Sequence, residues 1–428
     1  MTVCFYEDET YRNFFPVTML RPVYILRAGI IPLFKRMERY LDTDSTCLVA
    51  RNQVALFLAE THREYPVNII KRREGDVLFI NGRIRAYGDL PDLIRQSRLS
   101  TVFVTGDEVV AVLFKADSLK AFPDIATQKE FQELYDRELA NVLHADTKAT
   151  LYNYCWDIIS DIESEITADF ENLRASFPLP QNLKIHDNVS LVNQDNIFLG
   201  NGVEMFPGVV IDASKGPVYI GDNTKIEAHS TIIGPCCVGP NCAVLAGKIT
   251  CSSIGHTCRV GGEVDESVFH AYVNKYHAGF IGHSYVGQWV NFGAMTTNSD
   301  LKNNYSSIRV TLNGESIDTG SIKVGSFIGD HTKFGIGTLL STGINIGICC
   351  NIFGGTLVED KEVPSFSWGN MGKYERYKFE KALETAQKVA DRRDCTIQDG
   401  EIRVLQAVYN SALTDDGIMS FNTSKSKL

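Results

Sequence analysis

From residue 199 onward, aliphatic side chains recur at every sixth position along much of the chain. A six-residue period fits neither an α-helix nor an alternating strand, and the runs at 220–244 and 322–352 keep it without a break. It fits a short strand and a turn repeated around a prism, with the aliphatic residue facing the axis and Gly, Asn or Asp at the tight corners. Each coil buries little alone, so stability comes from stacking on its neighbours. The pattern predicts a parallel β-helix over residues 179–363.

The N-terminal part has a different, α/β pattern. Residues 77–80, 101–105 and 109–114 are apolar runs that predict strands, the last two joined by a Gly-Asp turn. Residues 30–41 place apolar side chains on one helical face. We therefore predict an α/β domain over residues 1–126.

The segments that flank the β-helix look helical. Residues 127–178 are predicted to form a helical connector, because isoleucines recur there at three- and four-residue steps. The hexad stops before Pro364, residues 373–393 are amphipathic, and residues 394–428 are polar. We expect a C-terminal helix and a loosely held tail over residues 364–428.

A polar segment at 293–321 lacks the hexad. Such an excursion from a solenoid is where binding groups concentrate. We expect it to leave the coil and reach a neighbouring subunit.

Composition narrows the possible functions. The chain of 428 residues is 44% hydrophobic with a net charge of -10, which argues against a large nucleic-acid interface. No apolar run approaches the roughly 20 residues of a membrane span, and no secretory signal pattern opens the chain. The 11 cysteines are irregularly spaced without a C-x2-C pair, which favours reduced thiols in a cytoplasmic protein over a metal site.

The run HAYVNKYHAGFIGHSYVGQWVNFGAMTTNSDLKNNY, residues 270–305, carries a family resemblance. It is similar to the acetyltransferase half of the bifunctional bacterial enzyme that makes UDP-N-acetylglucosamine. The chain as a whole resembles shorter GlmU-like sugar nucleotidyltransferases. The resemblance implies a left-handed parallel β-helix acyltransferase domain behind a reduced nucleotidyltransferase-like domain. It also implies a homotrimer that binds acetyl-CoA between adjacent prisms, with Trp289 and Phe292 as candidate exposed contacts.

The same resemblance assigns roles in the β-helix. His277 stands at the general base, and His283 is the competing base. Phe280 stands where the family has a sugar-binding tyrosine, and Asp265 replaces a lysine that holds the sugar phosphate. The substrate-binding candidates are Glu263, Lys275, Phe280, Asn291 and Lys302, with the two lysines as replacement cations. The acetyl-CoA-binding candidates are Ala294, Asp330 and Gly354.

The N-terminal domain departs further from the family. A glycine-rich phosphate loop is missing, although the run from Pro16 to Pro22 resembles the segment that follows such a loop. The resemblance makes Thr18, Arg21 and Asn81 nucleotide-binding candidates, with Asn81 in the place of a metal-binding aspartate. Either this domain is active with Mg²⁺ or it is a structural relic.

Three functions remain open. The first is acetyl-CoA-dependent N-acetylation of an amino-sugar phosphate or nucleotide sugar, in which a histidine removes the ammonium proton and a polar donor meets the oxyanion. The second adds nucleotide transfer to a sugar 1-phosphate. The third is a non-catalytic scaffold or sugar-nucleotide sensor, favoured by Phe280 and Asp265. In each case we expect the β-helix to fold without residues 1–120, because each coil contacts only its neighbours.

Overall fold

A computed structural model describes residues 1–41, 43–71, 75–120, 122–138, 142–370, 372–413, 417–419 and 421. It shows an α/β domain, a parallel β-solenoid of about ten turns and a helical C-terminal part. The predicted fold class is thereby confirmed. In the described residues no helix is long and apolar enough to cross a membrane. All 11 cysteines are free thiols, and ten of them are buried.

The N-terminal domain is built on a six-stranded mixed sheet. Its strands, in spatial order, are Ser45–Val49, Thr2–Tyr6, Val77–Asn81, Glu108–Phe114, Thr101–Thr105 and Leu143–Asp146. Two small pairs lie outside it, namely Ile69–Lys71 with Ile125–Thr127 and Ile84–Ala86 with Thr150–Leu151. The three strands predicted from the sequence are all present. The strand Leu143–Asp146 lies within the segment predicted to be a helical connector, so that segment completes the sheet.

The helices before the solenoid cover this sheet or connect it to the coil. The α-helices are Leu33–Glu38, Asn52–Thr61, Leu90–Gln96, Gln128–Glu138, Cys155–Ser160 and Ile162–Arg174. Short 3-10 helices are Glu9–Phe14, Val23–Ile25, Ala116–Leu119 and Gln194–Asn196.

The solenoid has three faces, and each face is a ladder of parallel strands. Face A consists of Lys184–Ile185, Glu204–Met205, Lys225–Ile226, Ala243–Thr250, Arg259–Asp265, Asn274–Lys275, Asn291–Phe292, Lys333–Phe334, Asn351–Ile352 and Ser367–Asn370. Face B consists of Ser190–Val192, Val210–Asp212, Thr231–Ile233, the second halves of Ala243–Thr250 and Arg259–Asp265, then Phe280–Gly282, Thr297–Asn298, Leu339–Leu340 and Leu357–Val358. Face C consists of Ile197–Leu199, Val218–Ile220, Cys236–Val238, Ser253–Ile254, Val268–Phe269, Tyr285–Val286, Ser326–Ile328, Ile344–Ile346 and Glu362–Val363.

The hexad residues form the interior of the coil, as predicted. Ile328, Ile346 and their equivalents are fully buried and stack on one another from turn to turn. Ile322 is the exception, since it is in phase with the hexad but 48% exposed in a loop outside the coil. The coil also continues past the predicted end at residue 363, through the strand Ser367–Asn370.

At three corners of the coil, bulky residues adopt the left-handed backbone conformation that the sequence analysis expected for Gly, Asn or Asp. Tyr272, Trp289 and His331 have φ values of 55°, 61° and 61° at the start of successive face A strands. Such backbone is strained for bulky side chains. The Tyr272 and Trp289 rings stack with centroids 3.9 Å apart, and this packing compensates the strain.

The polar excursion folds back on its own chain instead of reaching outward. Thr297–Asn298 is still part of the coil, and the excursion contains a hairpin of Arg309–Leu312 and Glu315–Asp318. Leu312 packs against Tyr11 and Phe15 of the N-terminal domain. This hairpin therefore packs on its own chain, and the reach of the segment to a neighbouring subunit stays a prediction.

The C-terminal part is mostly ordered, contrary to the predicted loose tail. Lys373–Arg376 is a strand, and the helices Phe379–Asp391 and Asp399–Tyr409 follow it. The second helix packs on Asn52–Thr61 of the N-terminal domain. Further on, Phe421 packs against Tyr6, with ring centroids 5.0 Å apart. The final SKSKL lies outside the described residues.

The domains share hydrophobic cores. Outward residues of face C, such as Tyr285 and Phe327, are buried in one cluster with N-terminal apolar residues and the helices over residues 155–174. Arg21 adds a buried two-bonded ion pair with Asp330 of the solenoid, at 2.7 and 3.1 Å. The solenoid therefore depends on the N-terminal domain to cover face C, which argues against its independent folding.

Candidate functional site

His277 lies on the corner between faces A and B, and its side chain is exposed. The corner is tight because Gly279 has a φ of +133°, and a Cβ there would come within 2.1 Å of the Thr296 carbonyl oxygen. Among the described residues, the His277 ring makes no hydrogen bond. It is therefore free to contact a ligand.

Lys275 supports this corner from within the coil. It occupies an interior position after Val260, and its side chain is buried. Its Nζ donates to the carbonyl oxygens of Gly261 at 2.7 Å and His277 at 3.1 Å. Burial lowers the pKa of Lys275 to about 8, although nearby Glu263 opposes this shift. This amine points to the backbone that carries His277, not outward along the face.

Face B forms one wall beside His277. Glu263 and Phe280 are neighbours across adjacent strands, and Glu263 lies 3.8 Å from Lys248 on the preceding turn. Thr297, on the following turn, hydrogen bonds to both backbone groups of Phe280 through its hydroxyl. The wall thus combines a half-exposed ion pair with an aromatic ring.

Asn291 lies on the other side of the corner, on face A. Its Oδ1 accepts a hydrogen bond of 2.7 Å from Asn274 Nδ2. Both amides line a cavity of about 320 Å³ between face A and the C-terminal helix Phe379–Asp391. His277 therefore separates two surfaces that carry predicted substrate-binding residues.

Two of the acetyl-CoA candidates lie along the same corner as His277. The Met295 N–H donates to the carbonyl of Ala278, and the Gly337 N–H donates to that of Ala294. Gly354 follows on the next turn, beside Gly355, which is close to Gly337. His277, Ala294 and Gly354 thus lie along one edge, with the turn of Gly337 between those of Ala294 and Gly354.

The acetyl-CoA candidate Asp330 and the substrate-binding candidate Lys302 lie away from this edge. Asp330 is fully buried against Arg21 and also accepts from the Gln288 N–H. Lys302 donates to the carbonyl of Ser307 within the excursion. A ligand role for Asp330 requires a buried ion pair to break, and Lys302 is bound to its own loop.

An exposed apolar strip along this edge escaped the sequence analysis. The predicted exposed residues Trp289 and Phe292 are only 6% and 2% exposed. The strip consists instead of Tyr276, Met295, Ile336, Leu339, Phe353 and Leu357. Most of these residues come one to three positions after an interior residue of face A. That spacing places them at the corner and could have revealed the strip from the sequence.

His283 is held between two carboxylates. Its Nδ1 lies 2.8 Å from Asp300 and its Nε2 lies 3.1 Å from Glu266. Burial opposes the charged ring, but the hydrogen bonds with Asp300 and Glu266 outweigh it and raise the pKa of His283 to about 9. A ring that is protonated on both nitrogens at neutral pH has no lone pair for general-base work.

The nucleotide-binding candidates of the N-terminal domain are engaged internally. Thr18 donates to the Tyr11 carbonyl, and Asn81 donates to Asp8 at 2.7 Å. Arg21 is held by Asp330.

Two acidic side chains follow the first strand, Thr2–Tyr6, in a domain that lacks a glycine-rich phosphate loop. Glu7 pairs with Arg51 and Asp8 pairs with Arg83, at 2.7 and 2.8 Å. Among the described residues, no group of three or more His, Cys, Asp or Glu is arranged to hold a metal ion. A phosphate at this strand end would therefore meet carboxylates, together with guanidinium groups that are already paired with them.

Comparison with known proteins adds the following. Residues 3–176 match the family described as sugar nucleotidyl transferase. A bifunctional sugar-1-phosphate nucleotidylyltransferase/acetyltransferase from Sulfurisphaera tokodaii is 34% identical over 96 residues, 22% of this chain and 24% of that protein. The bifunctional protein GlmU from Prochlorococcus marinus is 26% identical over 283 residues, 60% of this chain and 57% of that protein.

Solved structures give more distant matches. The UDP-N-acetylglucosamine acyltransferase from Campylobacter jejuni matches 56% of this chain and all of its own, with 11% identity and a TM-score of 0.25. The chain spans from about a quarter to three fifths of the length of the curated relatives above. The Sulfurisphaera tokodaii and Campylobacter jejuni proteins are transferases by name. This chain combines a domain that matches the sugar nucleotidyl transferase family with a parallel β-solenoid.

Proposed function

We propose that the protein transfers the acetyl group of acetyl-CoA to the amine of an amino-sugar phosphate or nucleotide sugar, at the edge that carries His277. The observation that carries the proposal is an exposed, unpaired histidine beside a polar wall and an apolar strip. The names of the relatives, which include a sugar-1-phosphate nucleotidylyltransferase/acetyltransferase, support this substrate class.

The chemistry needs few groups. The neutral His277 ring takes a proton as the sugar amine attacks the thioester carbonyl, a role that suits an imidazole because its ordinary pKa is near neutrality. The C–N bond forms, the C–S bond breaks and the thiol of coenzyme A leaves with a proton. The Ala294 N–H has no acceptor among the described residues and is a candidate donor to the developing oxyanion.

The acetyl-CoA donor fits the edge beyond His277. Ile336 is 75% exposed, and with Met295 and Phe353 it offers apolar contacts for a pantetheine arm. Gly354 and Gly355 leave room for close approach of such a chain. Acetyl-CoA and free thiols at every cysteine also fit the cytoplasmic location expected from the sequence.

We further propose that this strip is the contact surface of a homotrimer. Exposed apolar strips of this kind favour association, and threefold symmetry would make three equivalent sites between subunits. The substitution Ile336→Glu places a charge in the strip without touching the core. Light scattering should show three chains for the wild type and fewer for the variant. A wild-type mass of one or two chains at all concentrations contradicts the trimer.

The test of the activity is thiol release from acetyl-CoA with a panel of amino sugars, their 1-phosphates and their nucleotide derivatives. We expect release only with a phosphorylated or nucleotide-linked amino sugar. The absence of release above the no-acceptor rate across the panel contradicts the proposal and favours the scaffold or sensor.

A second candidate activity is nucleotide transfer to a sugar 1-phosphate with Mg²⁺, which the names of the bifunctional relatives favour. The paired carboxylates at the end of the first strand argue against it. Pyrophosphate release from a nucleotide panel in the presence of Mg²⁺ and sugar 1-phosphates decides between an active domain and a structural one.

A further inference from the structure

The cavity between face A and the helix Phe379–Asp391 is a separate site from the His277 edge. Its volume is about 320 Å³, within the lower range of small-ligand pockets. Thr385 and Val389 of the helix form one side, and Val290 and the Asn274–Asn291 amide pair form the other. The cavity exists because the C-terminal helix packs on Trp289 through its alanines and leaves a gap beside them.

The charged side chains that line this cavity are all positive. Arg392, Arg393 and Lys333 line it, and none of its lining residues is acidic. Arg259 adds a fourth positive charge close to Arg393. Among the described residues, no ion pair neutralises any of these four side chains.

The Arg393 Nη1 donates to the carbonyl oxygen of Arg392 at 3.3 Å, and among the described residues no carboxylate pairs with the Arg393 side chain. Its Nε is buried and has no hydrogen-bond partner in the described structure. Burial lowers the pKa of Arg393, and the neighbouring Arg259 and Arg392 lower it further. Guanidinium groups that lie close together without a counter-charge repel one another, so the cluster is better suited to a bound anion than to an empty cavity.

Lys333 belongs to the same cluster. Its Nζ donates to the carbonyl oxygens of Trp289 and His331, which leaves one of its three N–H donors for a ligand. Burial lowers the pKa of Lys333 to about 8. An anion in the cavity would further stabilise the charged form of this amine.

The remaining walls suit a small polar molecule. Asn274 and Asn291 face the cavity with amide groups, and the Tyr272–Trp289 ring pair lies at its edge. Both aromatic residues hold left-handed backbone, which packing by the C-terminal helix maintains. The helix and the coil must therefore be docked for the cavity to exist.

We propose that this cavity binds the phosphate group of a small molecule, with Arg392, Arg393 and Lys333 as its ligands. Guanidinium groups bind phosphate oxygens with two parallel hydrogen bonds, and a lysine adds a point charge. The same chemistry admits inorganic phosphate or a phosphorylated metabolite. The inference does not depend on acetyl transfer at His277, and its test measures binding alone.

Isothermal titration and thermal unfolding test it with the full chain. The probes are inorganic phosphate, pyrophosphate and adenosine diphosphate, with adenosine as the uncharged control and sodium chloride at equal ionic strength. We expect saturable binding, and a rise in melting temperature, with at least one phosphate-bearing probe and with neither control. Binding of inorganic phosphate and of the nucleotide to equal extents indicates a free-ion site, and binding of the nucleotide alone indicates a phosphorylated metabolite.

Two variants make the site assignment falsifiable. Arg392→Gln changes an exposed side chain and Arg393→Gln a partly buried one, and each should weaken binding about 10–100-fold by loss of charged hydrogen bonds. Arg95→Gln, on a helix of the N-terminal domain, removes the same charge elsewhere and should bind like the wild type. Unchanged binding in Arg392→Gln and Arg393→Gln overturns the proposal, as does binding of adenosine or a response equal to that of sodium chloride.

Discussion

The end of the first strand lies beside Asn81, a predicted nucleotide-binding residue, and the corner of the solenoid carries His277, the predicted general base. The two places differ in how their polar groups are used. At the strand end, Glu7 and Asp8 are bound to Arg51 and Arg83. At the corner, His277 is exposed and has no partner among the described residues. Polar groups that are satisfied within the chain indicate a structural role, whereas an exposed and supported group is available for chemistry.

The comparison extends to the domains. The N-terminal domain covers face C and contributes Arg21 to a buried pair with Asp330, while the solenoid keeps the His277 edge open to solvent. Under the proposed function, the N-terminal domain supports the fold and the solenoid carries the reaction.

Removal of residues 1–120 should have the largest effect. The loss of cover leaves apolar residues of face C, among them Tyr285 and Phe327, in contact with water, so we expect the fragment to aggregate. Soluble fraction and size-exclusion chromatography measure this. A soluble, monodisperse fragment with the wild-type solenoid's circular dichroism would show that the solenoid needs no support.

His277→Ala should lower acetyl transfer about 10²–10⁴-fold, the usual contribution of a positioned acid–base group. Because the side chain is exposed, the melting temperature should not change. His186→Ala, which removes another exposed histidine of the solenoid, is the matched control and should retain the wild-type rate. A variant at His277 that keeps the wild-type rate would remove the contrast between the two regions.

Arg51→Met should destabilise the fold by about 3–5 kcal/mol, because it leaves the buried Glu7 carboxylate without its partner. Burial already raises the pKa of Glu7, against the opposing charge of Arg51. Denaturant unfolding measures the effect. Arg95→Met breaks a solvent-exposed pair with Asp92 and should cost at most about 1 kcal/mol. Equal effects in the two variants would contradict a supporting role for the buried pair.

His283 should give the solenoid a pH-dependent stability. Its pKa is raised in the folded state, from 6.5 to about 9, so its contribution is fully present below about pH 6.5 and is lost as the pH rises through 9. Denaturant unfolding at a series of pH values should show the wild type losing on the order of 3 kcal/mol relative to His283→Gln over this range. His277→Gln serves as the control. Parallel profiles of wild type and His283→Gln would mean that the ring is not charged in the fold.

The solenoid was predictable because coils that stack on one another require a repeat of interior apolar residues. The sequence did not predict which residues fill the interior at every turn. Lys275 and Asn298 occupy interior positions, so the hexad is lost in sequence where the coil continues in space. Ile322 falls in phase with the six-residue repeat by coincidence and lies outside the coil.

Of the candidate site, His277 and its neighbours on the same edge followed from local sequence. The pairing of Arg21 with Asp330 joins residues 309 positions apart, and the cavity brings Tyr272 to Val290 together with the much later residues Thr385 to Arg393. No local pattern specifies which distant side chains meet, and the ordered Phe421 escaped prediction because its neighbours along the chain are polar.

The packing of Phe421 against Tyr6 and Phe79 has a consequence for biosynthesis. The sheet that begins with the second residue cannot complete its core until residue 421 has left the ribosome. This α/β domain is made before the solenoid but is finished after it, and during translation its apolar face remains open to chaperones.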